Sequence, residues 1–149
     1  MTYFVLEQLP VLDPKSYVRR APWDGGICLD QWIQSRVLEL SFTSLEMMAF
    51  AKDVGDDGMP FIWDEERRFA MRAELDAAYI HLYGVDRDDV DYIMDSFGAF
   101  QRNDPERFTR TKALILDVYD ALARAMETGE PYGSILDPPP GEGPRHPAQ

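Results

Sequence analysis

The sequence predicts a mainly α fold of about five helices, with a short N-terminal extended segment and a disordered proline-rich tail. Three observations carry that expectation. Apolar residues recur at helical spacing over long stretches between residues 30 and 126. Residues able to cap a helix precede those stretches, and Gly84 and Gly129 follow two of them. Proline and glycine gather outside them, at 10–26, 55–60 and 129–144. With 45% hydrophobic and 12% aromatic residues, a 149-residue chain can fill one buried core.

In chain order, Tyr3-Phe4-Val5-Leu6 is a strand-like apolar run, and the prolines of Leu9-Pro10-Val11-Leu12-Asp13-Pro14 favour extended backbone after it. Residues 13–28 read as loop, so 1–28 forms an extended and loop segment, and a chain that begins directly on an apolar strand looks as though it starts mid-domain. A helical domain spans 29–130. Asp30 can cap a helix bearing Trp32, Ile33, Val37, Leu38 and Leu40, and Thr43 or Ser44 a shorter one through Ala51. The strongest pattern runs from Asp64 to Tyr83, with Glu65 and Glu66 at the positive end of the helix dipole. Its row Phe69, Ala73, Ala77 and Ile80 invites close approach by another helix. Asp86 then caps a helix with Val90, Ile93, Met94 and Phe97 turned inward. A last helix spans Pro105 to Met126, its inner positions Phe108, Leu114, Ile115, Val118, Tyr119 and Leu122. Residues 131–149 read as a mobile tail.

Charge narrows the partners. The net charge is −12, and residues 61–100 carry four arginines against ten carboxylates. Such a chain lacks the cationic face of an autonomous, non-specific DNA binder. One cysteine, Cys28, rules out an internal disulfide and a multi-cysteine zinc site. With no secretory signal in view, a cytoplasmic location is expected. No apolar stretch is long enough to span a bilayer.

No complete catalytic centre is legible, and no catalytic or metal-binding residue is assigned. The cluster Asp86, Asp88, Asp89, Asp91 and Asp95 lacks the glycine turn and terminal glutamate of a calcium loop; aspartates in a first helical turn complement the dipole without a metal. His81 has no His-x-x-x-His spacing and reads as a packing residue. Asp24 and Asp30 near Cys28 disfavour a thiolate. Asp137-Pro138-Pro139-Pro140 superficially matches the Asp/Asn-Pro-Pro-aromatic motif of amino-group methyltransferases, but proline replaces the aromatic residue that would stack on the base. The basic run Arg102, Arg107, Arg110 and Lys112 is the candidate for phosphate contact, with Thr111 adding a hydroxyl. The competing reading pairs those cations with Asp104, Glu106 or the acidic helix before them.

Four stretches carry a resemblance to a known family. They are Tyr3 to Leu12, Trp63 to Gly84, Asp88 to Asp95, and Arg110-Thr111-Lys112 through Tyr119-Asp120-Ala121. Together they resemble the C-terminal end of large adenine-specific DNA methyltransferases of restriction-modification and phage-defence systems (type IIG-like, and the methylases of BREX- and DISARM-type loci). The resemblance runs from Tyr3 to about Pro140, and it implies that 1–28 is the end of an upstream recognition region. Gly98 stands where the family commonly has proline, and Phe108-Thr109 where it has a glycine-containing approach. It implies that the S-adenosylmethionine site and the Asn-Pro-Pro-Tyr-type motif lie upstream, so this chain holds no cofactor itself. It further implies a non-catalytic helical portion that supports target recognition and contacts DNA or the catalytic part of the enzyme. Under that reading Arg110 and Lys112 touch phosphate, Arg102 and Arg107 assist, and Phe4, Leu9 and Trp63 are interface residues. The alternatives are an acidic adaptor for a basic protein and, more remotely, a DNA-mimicking inhibitor.

Overall fold

The computed structural model describes residues 11–148, and over them the fold is mainly helical. The run around Tyr3 expected to be extended, with the interface candidates Phe4 and Leu9, lies outside the described residues. The chain passes through α1 (Pro14–Tyr17), β1 (Arg20–Ala21), β2 (Asp24–Cys28), α2 (Leu29–Ser41) and a 3-10 turn, Leu45–Met47. Then come α3 (Met48–Asp53), α4 (Glu65–Leu82), α5 (Arg87–Asp95), α6 (Gly98–Asn103) and α7 (Pro105–Thr128).

The segment 13–28 is not the loop expected of it. Asp13 accepts from the Lys15 amide at 2.9 Å and Pro14 supplies a fixed first helical φ, which together start α1. Strands β1 and β2 then form an antiparallel hairpin across Pro22-Trp23. Its turn drives Trp23 into the core, 1% exposed and edge-on to Trp32 of α2 at 5.0 Å between ring centroids.

Helices α4 and α7 are the spine. The Asp64 carboxylate accepts from the Arg67 amide at 2.9 Å to start α4. Asp104 does the same for Arg107 at 3.0 Å, with Pro105 opening α7. Gly129 stops α7 in the left-handed region, at φ 76°. Ala73, Ala77 and Ala78 of α4 are buried in one cluster with Ile115, Val118 and Leu122 of α7, because small side chains let the two backbones approach. A second, smaller core gathers Leu38, Phe42, Ala51 and Phe61.

Two expectations are corrected. On α5 only Val90 and Met94 are buried; Ile93, and Phe97 two residues past the helix end, are exposed at 43% and 55%. The helix has α7 as its principal neighbour, and one neighbour covers only a narrow i, i+4 stripe. The tail is not free either. Residues 132–146 lie across the hairpin, α2, α4 and the loop before α4, tied by Tyr132 N–H to Trp23 O (2.9 Å), Ile62 N–H to Pro144 O (2.8 Å) and His146 N–H to Pro60 O (2.9 Å). The tail's prolines have no N–H to donate, and several of its carbonyls accept from donors elsewhere in the fold. The buried Arg67 uses two of them.

Candidate functional site

The basic run begins where α6 meets α7, and geometry splits it. Residues 110 and 112 stand about 200° apart around a helix, so they cannot grip one phosphate. Arg110 faces α4, where both guanidinium arms bond the Glu66 carboxylate, one at 3.0 Å, while its centre sits 4.3 Å above the Phe69 ring. Lys112 faces α5 and donates to Asp91 and Asp95, each at 2.7 Å. These are solvent-facing pairs. The Arg110 hydrogen bond holds the Glu66 carboxyl below its usual range, and Asp91, then Asp95, raise the Lys112 ammonium. The Thr111 hydroxyl donates to Arg107 O at 2.7 Å, so it too is engaged.

Arg102 on α6 and Arg107 on α7 form no ion pair among the described residues. Arg107 shares a shallow cavity with Arg110 and Phe69, but Glu65, Glu66, Asp104 and Glu106 line it as well. Four carboxylates against two guanidiniums leave that hollow acidic, a poor place for a phosphodiester.

Trp63, the described interface candidate, is 58% exposed just before α4. The Arg68 guanidinium lies 3.5 Å from its ring centroid, and its indole N–H donates to Glu65 at 3.1 Å. Arg68 is anchored in turn on Leu40 O at 2.8 Å. The ring is therefore held in one orientation, with the face away from Arg68 available to a partner.

The feature that sequence reasoning missed lies beneath these groups. Arg36 and Glu39 on α2 face Glu74 and Arg67 on α4, and all four are buried. Glu74 is fully buried; one oxygen accepts from Arg36 Nε at 2.8 Å. Its other oxygen accepts from the Tyr132 hydroxyl (2.8 Å), the Ser134 hydroxyl (2.8 Å) and the Ile135 amide (3.2 Å). Glu39 is gripped by Arg67 and by the Gly141 amide at 2.8 Å. Arg67 extends its remaining donors to Pro138 O (2.6 Å) and Pro139 O (2.9 Å). Arg36 also donates to Trp32 O and lies 3.4 Å over the Trp32 ring. Burial lowers the Arg36 pKa and raises that of Tyr132, where the Glu74 charge adds to burial and keeps the phenol a donor.

Each buried charge thus meets an opposite charge, and both carboxylates also meet the tail, the condition under which buried ions are tolerated. Farther along, Arg145 bonds Asp56 with both arms (2.9 and 2.6 Å), donates to Met59 O and covers the Phe61 ring at 3.9 Å. A signal for this network was present in the sequence: Glu74 stands three and four residues before Ala77 and Ala78, on the face of α4 that packs.

The remaining chemistry-bearing residues are in structural settings. His81 Nε2 lies 2.8 Å from Tyr119 O, with its ring stacked on Tyr119 at 3.8 Å. Burial lowers its pKa more than the Tyr119 carbonyl and Asp120 raise it. Cys28 is half-buried at the start of α2. The Pro138 and Pro139 carbonyls of the Asp-Pro-Pro-Pro segment serve Arg67. Among the described residues, no group of three or more His, Cys, Asp or Glu side chains could hold a metal ion. No described helix is long and apolar enough to cross a membrane. No protein-family model, curated protein or solved structure matches the chain.

Proposed function

We propose that this chain is the non-catalytic C-terminal helical portion of an adenine-specific DNA methyltransferase of a restriction-modification or phage-defence system, supporting target recognition chiefly by docking on the rest of the enzyme. The reading rests on the family resemblance of the sequence. The observation that supports it is that the resembling stretches from Trp63 to Ala121 fall on or just before α4, α5 and α7, and that α4 and α5 each pack on α7. Trp63, fixed on Arg68 and exposed, is the interface residue of this reading. S-adenosylmethionine belongs to the catalytic portion.

DNA contact has a smaller share than the basic run suggested. Arg110 and Lys112 would have to leave carboxylates to reach phosphate, whereas Arg102 and Arg107 would not. The test is reconstitution with a catalytic portion that carries the S-adenosylmethionine site and an Asn-Pro-Pro-Tyr-type motif, reading methyl transfer to adenine in duplex DNA. The chain should raise methylation, Trp63→Ser should weaken the assembly, and the chain alone should transfer nothing. Transfer by the chain alone would overturn the non-catalytic reading; indifference of the catalytic portion to the chain would overturn the docking.

A further inference from the structure

We infer that α5 is a docking face for a protein segment whose apolar side chains are flanked by lysine or arginine. Tyr92 is 77% exposed, Phe97 55% and Ile93 43%, three large apolar side chains on or immediately after a nine-residue helix. Scattered exposed apolar residues are ordinary, but these three lie within six consecutive residues, 92–97. Ile93 and Phe97 follow Asp89 at successive i+4 positions, and Tyr92 follows Asp88 in the adjoining row. Each apolar row therefore begins on an exposed carboxylate, and neither Asp88 nor Asp89 has an ion-pair partner among the described residues.

The platform is held from behind. Val90 and Met94 are buried, Lys112 of α7 bonds Asp91 and Asp95 at 2.7 Å, and Arg87 bonds Asp120 of α7 at 2.7 Å. Little ordering is left for binding to supply, which favours affinity. Charge selects the occupant. Four aspartates within eight residues repel phosphate, so neither duplex DNA nor an anionic lipid surface fits. A second copy would bring the same carboxylates against this face in a chain of net charge −12. Cationic side chains at the rim answer Asp88 and Asp89, and aliphatic ones between them answer Tyr92, Ile93 and Phe97. The inference does not depend on the methyltransferase reading.

The test titrates the full chain, labelled for backbone amide spectra, with an amphipathic leucine–lysine peptide. A serine–lysine peptide of equal charge and a duplex oligonucleotide are run in parallel. The leucine–lysine peptide should shift α5 amides, and Ile93→Ser/Phe97→Ser should weaken that binding roughly tenfold. Asp88→Asn/Asp89→Asn should weaken it at low salt and flatten its salt dependence. Both variants change exposed positions, and unchanged melting curves would establish that they are folded. Equal binding by the two peptides, wild-type affinity in both variants, or shifts of α5 with the oligonucleotide would overturn the inference. So would sedimentation equilibrium showing that the chain dimerises through Ile93 and Phe97.

Discussion

Arg36 of α2 and Glu74 of α4 form a buried ion pair at 2.8 Å, and the tail completes the carboxylate's coordination from its other side. Removing one partner of such a pair leaves the other charge unpaired in a low-dielectric setting, at a cost of about 3–5 kcal/mol. Glu74→Ala is expected to lower the unfolding free energy by about that much in urea titrations. Glu74→Gln, which keeps an acceptor but not the charge, should lie between it and wild type. A loss under about 1 kcal/mol for Glu74→Ala would mean that Arg36 finds water instead.

The tail should behave as part of the fold. Gly143 carries no side chain because a β-carbon there would meet the Glu39 carboxylate and stand 2.8 Å from Arg67 Nε. Gly143→Ala therefore pushes apart a buried ion pair, while Gly133→Ala meets open space. Thermal melts are expected to drop for Gly143→Ala and stay near wild type for Gly133→Ala. Equal melts for the two would contradict the close packing of the tail. Arg145→Ala should speed amide exchange around Ile62 and His146 by releasing Asp56.

Acid should weaken the molecule through His81. Burial depresses its pKa in the folded state, so the unfolded chain takes up the proton more readily. The associated stability is complete above about pH 6.5, the ordinary histidine value, and is lost as pH falls through the lower folded value. Melting curves taken between about pH 7 and pH 5 should slope downward in wild type and less steeply in His81→Gln. Parallel slopes would assign the loss to other groups. A second, more acidic step is expected from Asp56, whose carboxyl is held low chiefly by its hydrogen bond from Arg145. Its stability contribution is present above about pH 4 and lost as pH falls below the unfolded carboxyl value.

The exposed cations separate stability from binding. Arg110→Ala and Lys112→Ala remove solvent-facing pairs, so melting temperatures should move little. In an assembled enzyme bound to DNA, Arg102→Glu/Arg107→Glu should reduce the slope of log affinity against log salt more than Arg110→Glu/Lys112→Glu does. If neither pair changes affinity or slope, the phosphate role is wrong for all four residues.

Local chemistry was legible in the sequence, and long-range pairing was not. Asp64, Pro105 and Gly129 act at helix ends, where a carboxylate, a fixed φ and a missing side chain have the same effect in any protein. Arg110 could not be read the same way, because its partner Glu66 is 44 residues away and no spacing announces it. Glu74 is one carboxylate among many in the sequence, and only its neighbours Ala77 and Ala78 hint that it packs. The proline-rich tail was misread because its contribution is made largely by backbone carbonyls and amides, groups that every residue carries. On α5 the apolar period was read correctly, but nothing in a period tells how many neighbours will cover it.

The reach of the tail also sets an order of events in time. Glu39 waits for the amide of Gly141, 102 residues later, and Glu74 for Tyr132, 58 residues later. While the chain is being synthesised, α2 and α4 are complete long before those donors exist. Their paired charges must remain partly hydrated until residues 132–141 leave the ribosome. Contacts so distant along the chain form slowly, since a long loop must close before they return any energy. Any packing of α2 on α4 before then lacks these donors, and residues 132–141 are the segment that supplies them.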